Sequence, residues 1–184
     1  IAWEAERSYL KELPGGVIAH DGLLNPGTRV RQRGQRRNVG NDDQYKLTFQ
    51  THQKNLQSLR MDAFSHPSLP ERGPGLNGNG SFQLTDIKIS ARPIDPKAKD
   101  APINLKLKPV FAAFEDKGQP LANALDDKPA TAWVVNTTAK KDNAAIFELE
   151  TPLPGFAGGT ELVVELKFRE LGIGRIRMSL SVEA

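Results

Sequence analysis

The sequence predicts an all-β domain, a β-sandwich of about ten strands, on three observations. Thirteen Pro and sixteen Gly cut the 184 residues into short segments. Most of these segments alternate apolar and polar residues with the two-residue period of a strand that buries one face. The chain is also long enough to bury a sizeable core as one domain, and a sandwich is the simplest closure for so many half-buried strands.

The first segment differs from the rest. "WEAERSYLKEL", residues 3 to 13, spaces Ala5, Tyr9, Leu10 and Leu13 loosely as on a helix, and the Pro-Gly-Gly that follows is a stop. Residues 1–15 therefore form an N-terminal linker or first element, and 16–184 a single β-sandwich domain. Short strands are expected at 16–19 and 28–33. In "QYKLTFQT", Tyr45, Leu47 and Phe49 share one face and Gln44, Lys46 and Thr48 the other. "LRMDA" continues the pattern with Leu59, Met61 and Ala63. A strand over 80–91 changes parity, because Phe82 and Leu84 are out of step with Ile87 and Ile89. A β-bulge near Thr85 and Asp86 would do this, and so would burial of both faces. Strands at 103–111 and 144–149 precede the two most regular ones. "ELVVELKF" aligns Leu162, Val164, Leu166 and Phe168, and "GRIRMSLSV" aligns Ile176, Met178, Leu180 and Val182. Long polar loops fall at 33–43, 65–80 and 139–143, and binding groups on a rigid sandwich usually reside in its loops.

Composition excludes several chemistries. With no Cys there is no disulfide, thiolate metal site, Cys nucleophile or haem attached through C-x-x-C-H, so no haem is expected in this chain. No apolar run reaches the roughly 18 residues of a membrane span, and no signal-peptide pattern is present, so no direct membrane insertion is expected. The net charge is +3, yet "RVRQRGQRR" at 29–37 holds five Arg and no acid, so the rest of the chain is net acidic. Such a cluster either grips anionic groups through its planar donor forks or forms a solvated strand face and turn.

No catalytic constellation stands out. His20, His52 and His66 lie in separate segments without metal-ligand spacing. "GPGLNGNG" lacks the Lys-Ser/Thr of a phosphate loop, and its glycines suit turns with positive φ. Glu148 and Glu150 share a strand parity and could present paired carboxylates, although charged residues on strands usually face solvent. The sequence points away from an enzyme. "ALDDKPATAW" at 124–133 is the richest stretch. Its Asp126, Asp127 and Thr131 supply oxygens that a hard cation could use, while the simpler reading makes Asp126 a turn cap, Thr131 the start of a strand and Trp133 a core residue.

Ala124, Asp126, Thr131 and Trp133, as A-x-D-x-x-x-x-T-x-W, resemble the loop of discoidin-like (galactose-binding-like) β-sandwich domains. That resemblance implies a jelly-roll and a structural calcium (Ca2+) held by Asp126 and Thr131, with Asp86 of "LTDIKIS" as a further ligand. Those domains usually have Gly after the Asp, where this chain has Asp127, and here the strand with Asp86 precedes the loop instead of following it. A run of separated motifs is also similar to one module of large secreted proteins of planctomycete bacteria, in which it lies among cytochrome c-type domains. The motifs are "DAFSHPSLPERGPGLNGNGSFQLTDIKISA", "PLANALDDKPATAW", "AAIFELETPLPGFAGGTELVVELKF" and "LGIGRIRMSLSV", which fall between residues 62 and 182 in a resemblance that spans roughly 45 to 184. This resemblance implies a secreted or cell-envelope location, including the periplasm, and neighbouring domains of a parent protein as partners.

Two functions follow as expectations. The first is a non-catalytic carbohydrate-binding module for a polysaccharide, with Arg31, Arg33, Arg36, Arg37, Asn38, His66, Arg72 and Asn79 as ligand-binding residues and an anionic glycan favoured by the arginines. The second is a structural spacer packed against neighbouring cytochrome-type domains. Nothing in the sequence calls for nucleic acid.

Overall fold

A computed structural model describes residues 11–13, 17–23, 42–136 and 141–182. They form two antiparallel sheets with two short 3-10 turns, an all-β sandwich. The strands are β1 (Lys11–Leu13), β2 (Val17–Leu23), β3 (Gln44–Thr51), β4 (Leu56–Ala63), β5 (Phe82–Pro93), β6 (Ile103–Leu105), β7 (Leu107–Ala112), β8 (Trp133–Val135), β9 (Asn143–Leu153), β10 (Thr160–Phe168) and β11 (Arg175–Ser181). One sheet runs β1-β2-β11-β4-β9-β7. The other runs β3-β10-β5-β6, with β8 also paired to β5.

Two expectations change. Residues 11–13 are not helical: they pair antiparallel with β2, Lys11 opposite Ala19 and Leu13 opposite Val17. Ladder bonds to a neighbouring strand override the weak helical spacing there, while residues 3–10 of that segment lie outside the described residues. The single strand expected over 103–111 is two, because β6 pairs with β5 in one sheet and β7 with β9 in the other. The chain switches sheets at Lys106, whose carbonyl accepts the Glu150 N–H at 2.9 Å. Such a corner is one of the ways a sandwich closes. β8 is the strand into which the acidic loop was expected to lead, and it begins two residues after Thr131. The strand expected at 28–33 and most of the loop at 33–43 lie outside the described residues.

The parity change in β5 is a bulge. Lys167 of β10 faces Asp86 while the next residue, Phe168, faces Leu84, so Thr85 is the extra residue. Its hydroxyl donates to the Lys167 carbonyl at 3.1 Å, which holds the irregularity in place. Phe82, Leu84, Ile87, Ile89 and Ala91 consequently all reach the core.

Trp133 lies where the two sheets and the connecting turns meet. It has no exposed surface, packs edge-on against Phe82 at 5.3 Å between ring centroids, and donates its indole N–H to the Phe114 carbonyl at 3.0 Å. Tyr45 is buried beside Phe168 and donates its hydroxyl to the Ile173 carbonyl at 3.0 Å. Burial, followed by the nearby Asp43 charge, pushes its phenol far above the ordinary tyrosine range.

The loop between β4 and β5 closes one end of the sandwich. Leu69 and Leu76 are buried, and Leu76 N–H and Gly174 N–H bond to Gly172 and Pro74 carbonyls across the loop. Gly75 has no room for a side chain, since a Cβ there would sit 1.8 Å from the Ser81 carbonyl oxygen. Gly80, at φ +76°, turns the chain back into β5.

Candidate functional site

The outward face of the β3-β10-β5 sheet is built from the polar parity of three alternating strands. The register stacks Gln50, Glu161 and Arg92 in one row, Thr48, Val163 and Ser90 in the next, and Lys46, Glu165 and Lys88 in a third. Cross-strand pairs of opposite charge stabilise such a face. Lys46 meets Glu165 at 3.0 Å, and Arg92 pairs with Glu161, which also accepts a hydrogen bond from Gln50 at 3.0 Å. Burial would raise the Glu161 carboxyl, but the hydrogen bonds from Gln50 and Arg92 and the Arg92 charge outweigh it and hold the pKa below the usual carboxylate range.

An open cleft of about 720 Å³ lies over this face. Ser90 and Val163 line its uncharged middle row, and Asn104 and Leu105 of β6 stand at one side. The 3-10 segment Leu121–Leu125 contributes Leu125, the turn after it Asp127, and β9 Glu150. Lys46, Lys88, Arg92 and Lys106 bring positive charge, matched by the carboxylates of Asp86, Asp127, Glu150 and Glu165. The cleft is therefore rich in donors and acceptors yet balanced in charge. Among the described residues no aromatic side chain lines it.

Lys88 stands between two carboxylates, 2.9 Å from Asp127 and 3.6 Å from Asp86. The hydrogen bond it donates to Asp127 and then the Asp86 charge raise its pKa. Asp86 also receives Lys167 at 2.9 Å.

The acidic loop is arranged as a capped turn. Both Asp126 carboxylate oxygens accept from the Thr131 hydroxyl at 2.8 Å, and one also accepts the Lys128 N–H at 2.9 Å. The Lys128 N–H, ahead of the Thr131 hydroxyl, lowers the Asp126 pKa. The cap thus adds stability above the unfolded carboxylate pKa of about 3.9 and loses it as pH falls through the lower folded value. Asp86 belongs to a different set of contacts, with two lysines, and among the described residues no three His, Asp or Glu side chains are grouped to hold a metal. A calcium cage of about six to eight oxygens does not fit donors already turned onto their own loop. Equal melting temperatures in millimolar calcium and in chelator are the expected result; a rise with calcium that Asp126→Ala abolishes would restore the metal assignment.

The sequence-derived ligand residues fall into two groups. Arg31, Arg33, Arg36, Arg37 and Asn38 lie outside the described residues. His66, Arg72 and Asn79 all sit on the loop that closes the end of the sandwich, and none of them lines the cleft. His66 Nδ1 is 2.6 Å from the Ser68 hydroxyl, and Asn79 Oδ1 accepts from the Ser81 N–H and hydroxyl at 3.1 and 2.6 Å. Glu148 and Glu150 are not presented together, since only Glu150 reaches the cleft while Glu148 pairs in register with Ser58 and Lys108. Sequence reasoning missed Lys46, Lys88, Ser90, Arg92, Asn104 and Glu165. Their alternation was visible, but which strands lie side by side was not.

Comparison with protein-family models, with curated proteins and with solved structures returned no match to this chain. Among the described residues no helix is long and apolar enough to cross a membrane.

Proposed function

We propose that this domain is a non-catalytic carbohydrate-binding module of a secreted multidomain bacterial protein, and that it binds polysaccharide in the cleft on the β3-β10-β5 sheet. The observation that supports this reading best is the balance of the cleft. Paired charges surround a middle row of Val163 and Ser90 and present fixed donors and acceptors without a net field. A neutral ligand with many hydroxyl groups uses such a surface fully, whereas an anion would meet as many carboxylates as cations. Preference for an anionic glycan has its support elsewhere, in the arginines of 29–37. The secreted or periplasmic location rests on the resemblance to the planctomycete module.

A second reading, the spacer that packs against neighbouring domains, has one specific observation in its favour. Val110 and Phe111 are about half exposed, at 52% and 50%, on the edge strand β7 of the other sheet. A neighbouring domain could cover them.

Retention on immobilised xylan, laminarin, alginate and chondroitin sulfate, at low and high salt, separates the possibilities. The cleft predicts retention by a neutral polysaccharide that persists near 1 M salt, where the Debye length is about 3 Å. Retention only by alginate or chondroitin sulfate and lost in salt would move the site to the arginines. Absence of retention on every polysaccharide would leave the spacer.

A further inference from the structure

Asp127 combines an uncommon backbone with an exposed carboxylate at a cleft wall. Its φ is +56°, in the left-handed region that Gly occupies freely and Asp tolerates better than most residues. It follows Asp126, the cap of the turn, so a Gly here would serve the turn alone at least as well. The side chain is 77% exposed and lines the cleft, and Lys88 Nζ holds it from below at 2.9 Å. Lys88 is itself anchored by Asp86 at 3.6 Å, and Asp86 by Lys167 at 2.9 Å. One face of the Asp127 carboxylate is thus oriented by the ammonium, and its exposure leaves acceptor lone pairs for a ligand.

On the basis of the carbohydrate-binding reading, we propose that Asp127, oriented by Lys88, is the specificity-determining acceptor of the cleft and recognises the free vicinal hydroxyl pair of a 1,4-linked neutral sugar. A carboxylate presents two acceptor oxygens side by side, and two adjacent sugar hydroxyls present two donors at matching separation, so both bonds form at once. The neighbouring ammonium donates to ring or hydroxyl oxygens that the carboxylate cannot serve. A 1,4-linked chain leaves the 2- and 3-hydroxyls adjacent and free in every residue. A 1,3-linked chain blocks one of them throughout its interior.

The test uses the whole domain on immobilised xylan, glucomannan and laminarin, with wild type, Asp127→Gly and Asp127→Asn compared and each variant's melting temperature recorded. Gly fits the backbone at this position, so the fold is retained and loss of binding reads the carboxylate alone. Wild type is expected to be retained on xylan and glucomannan and to pass laminarin. Asp127→Gly should weaken retention by about tenfold or more, the factor for losing hydrogen bonds to a charged group. Asp127→Asn, with one acceptor oxygen, should fall between. Equal retention of Asp127→Gly and wild type would overturn the role of Asp127 and leave the cleft standing. Laminarin held as firmly as xylan would overturn the hydroxyl-pair recognition. Wild type passing every column would overturn the carbohydrate-binding reading itself, and this inference with it.

Discussion

Trp133→Ala should lower the free energy of unfolding by about 3–5 kcal/mol and the melting temperature by roughly 6–20 °C for a domain of this size. The reason lies in what the indole joins. Its ring has no exposed surface and packs edge-on against Phe82, so truncation opens a cavity between β5, β8 and the turns. It also strands the Phe114 carbonyl, which accepts the indole N–H at 3.0 Å and would be left without that donor. Surrounding side chains cannot collapse far, because Phe82 is itself edge-on to Phe168, which packs on Tyr45. Trp133→Phe should recover part of the loss by refilling the volume without restoring the hydrogen bond. Chemical denaturation of the three proteins measures this, and a loss below about 1 kcal/mol for the Ala variant would contradict the packing described.

How far the fold could be read from the sequence depended on the strand. β3 and β11 alternate cleanly, and β10 does so apart from Val163, which is also buried, so period-2 patterning showed their faces directly. The β5 bulge was also legible, because a parity change inside a strand leaves few alternatives, and Thr85 is the residue that absorbs it. β8 was legible only as the strand that the acidic loop feeds: three residues are too few to show a period, and "WVV" is held by its pairing with Phe82–Leu84. Lys11–Leu13 misled because its strand character comes from β2, a partner that no local window contains. The sheet switch at Lys106 was hidden for the same reason.

The loop with Asp126 was legible as either a cap or a cation site, since both need oxygens at the same spacing. The Thr131 hydroxyl and the Lys128 N–H, which turn onto Asp126, appear only in three dimensions. The cleft was less legible still. Lys46, Ser90 and Glu165 each look like solvated polar positions along their strands. They become a site only because β10, late in the chain, inserts between β3 and β5 and brings the three polar faces together.

Ser90→Tyr is the second large effect expected, on binding and not on stability. Ser90 lies on the outward face of β5, opposite Val163 and Asn104, and lines the uncharged middle of the cleft. A tyrosine there suits a strand and leaves the core untouched, so the melting temperature should change little. Its ring would occupy the space in which a polysaccharide must lie. Val110 and Phe111 on β7 belong to the other sheet, so Phe111→Ser provides a matched change away from the cleft. The most direct measurement is the affinity of wild type, Ser90→Tyr and Phe111→Ser for soluble xylan by titration calorimetry. The cleft assignment predicts that Ser90→Tyr loses binding by about a hundredfold, a change of about 2.7 kcal/mol, while Phe111→Ser binds as wild type does. Undiminished binding by a folded Ser90→Tyr protein, or loss confined to Phe111→Ser, would contradict it.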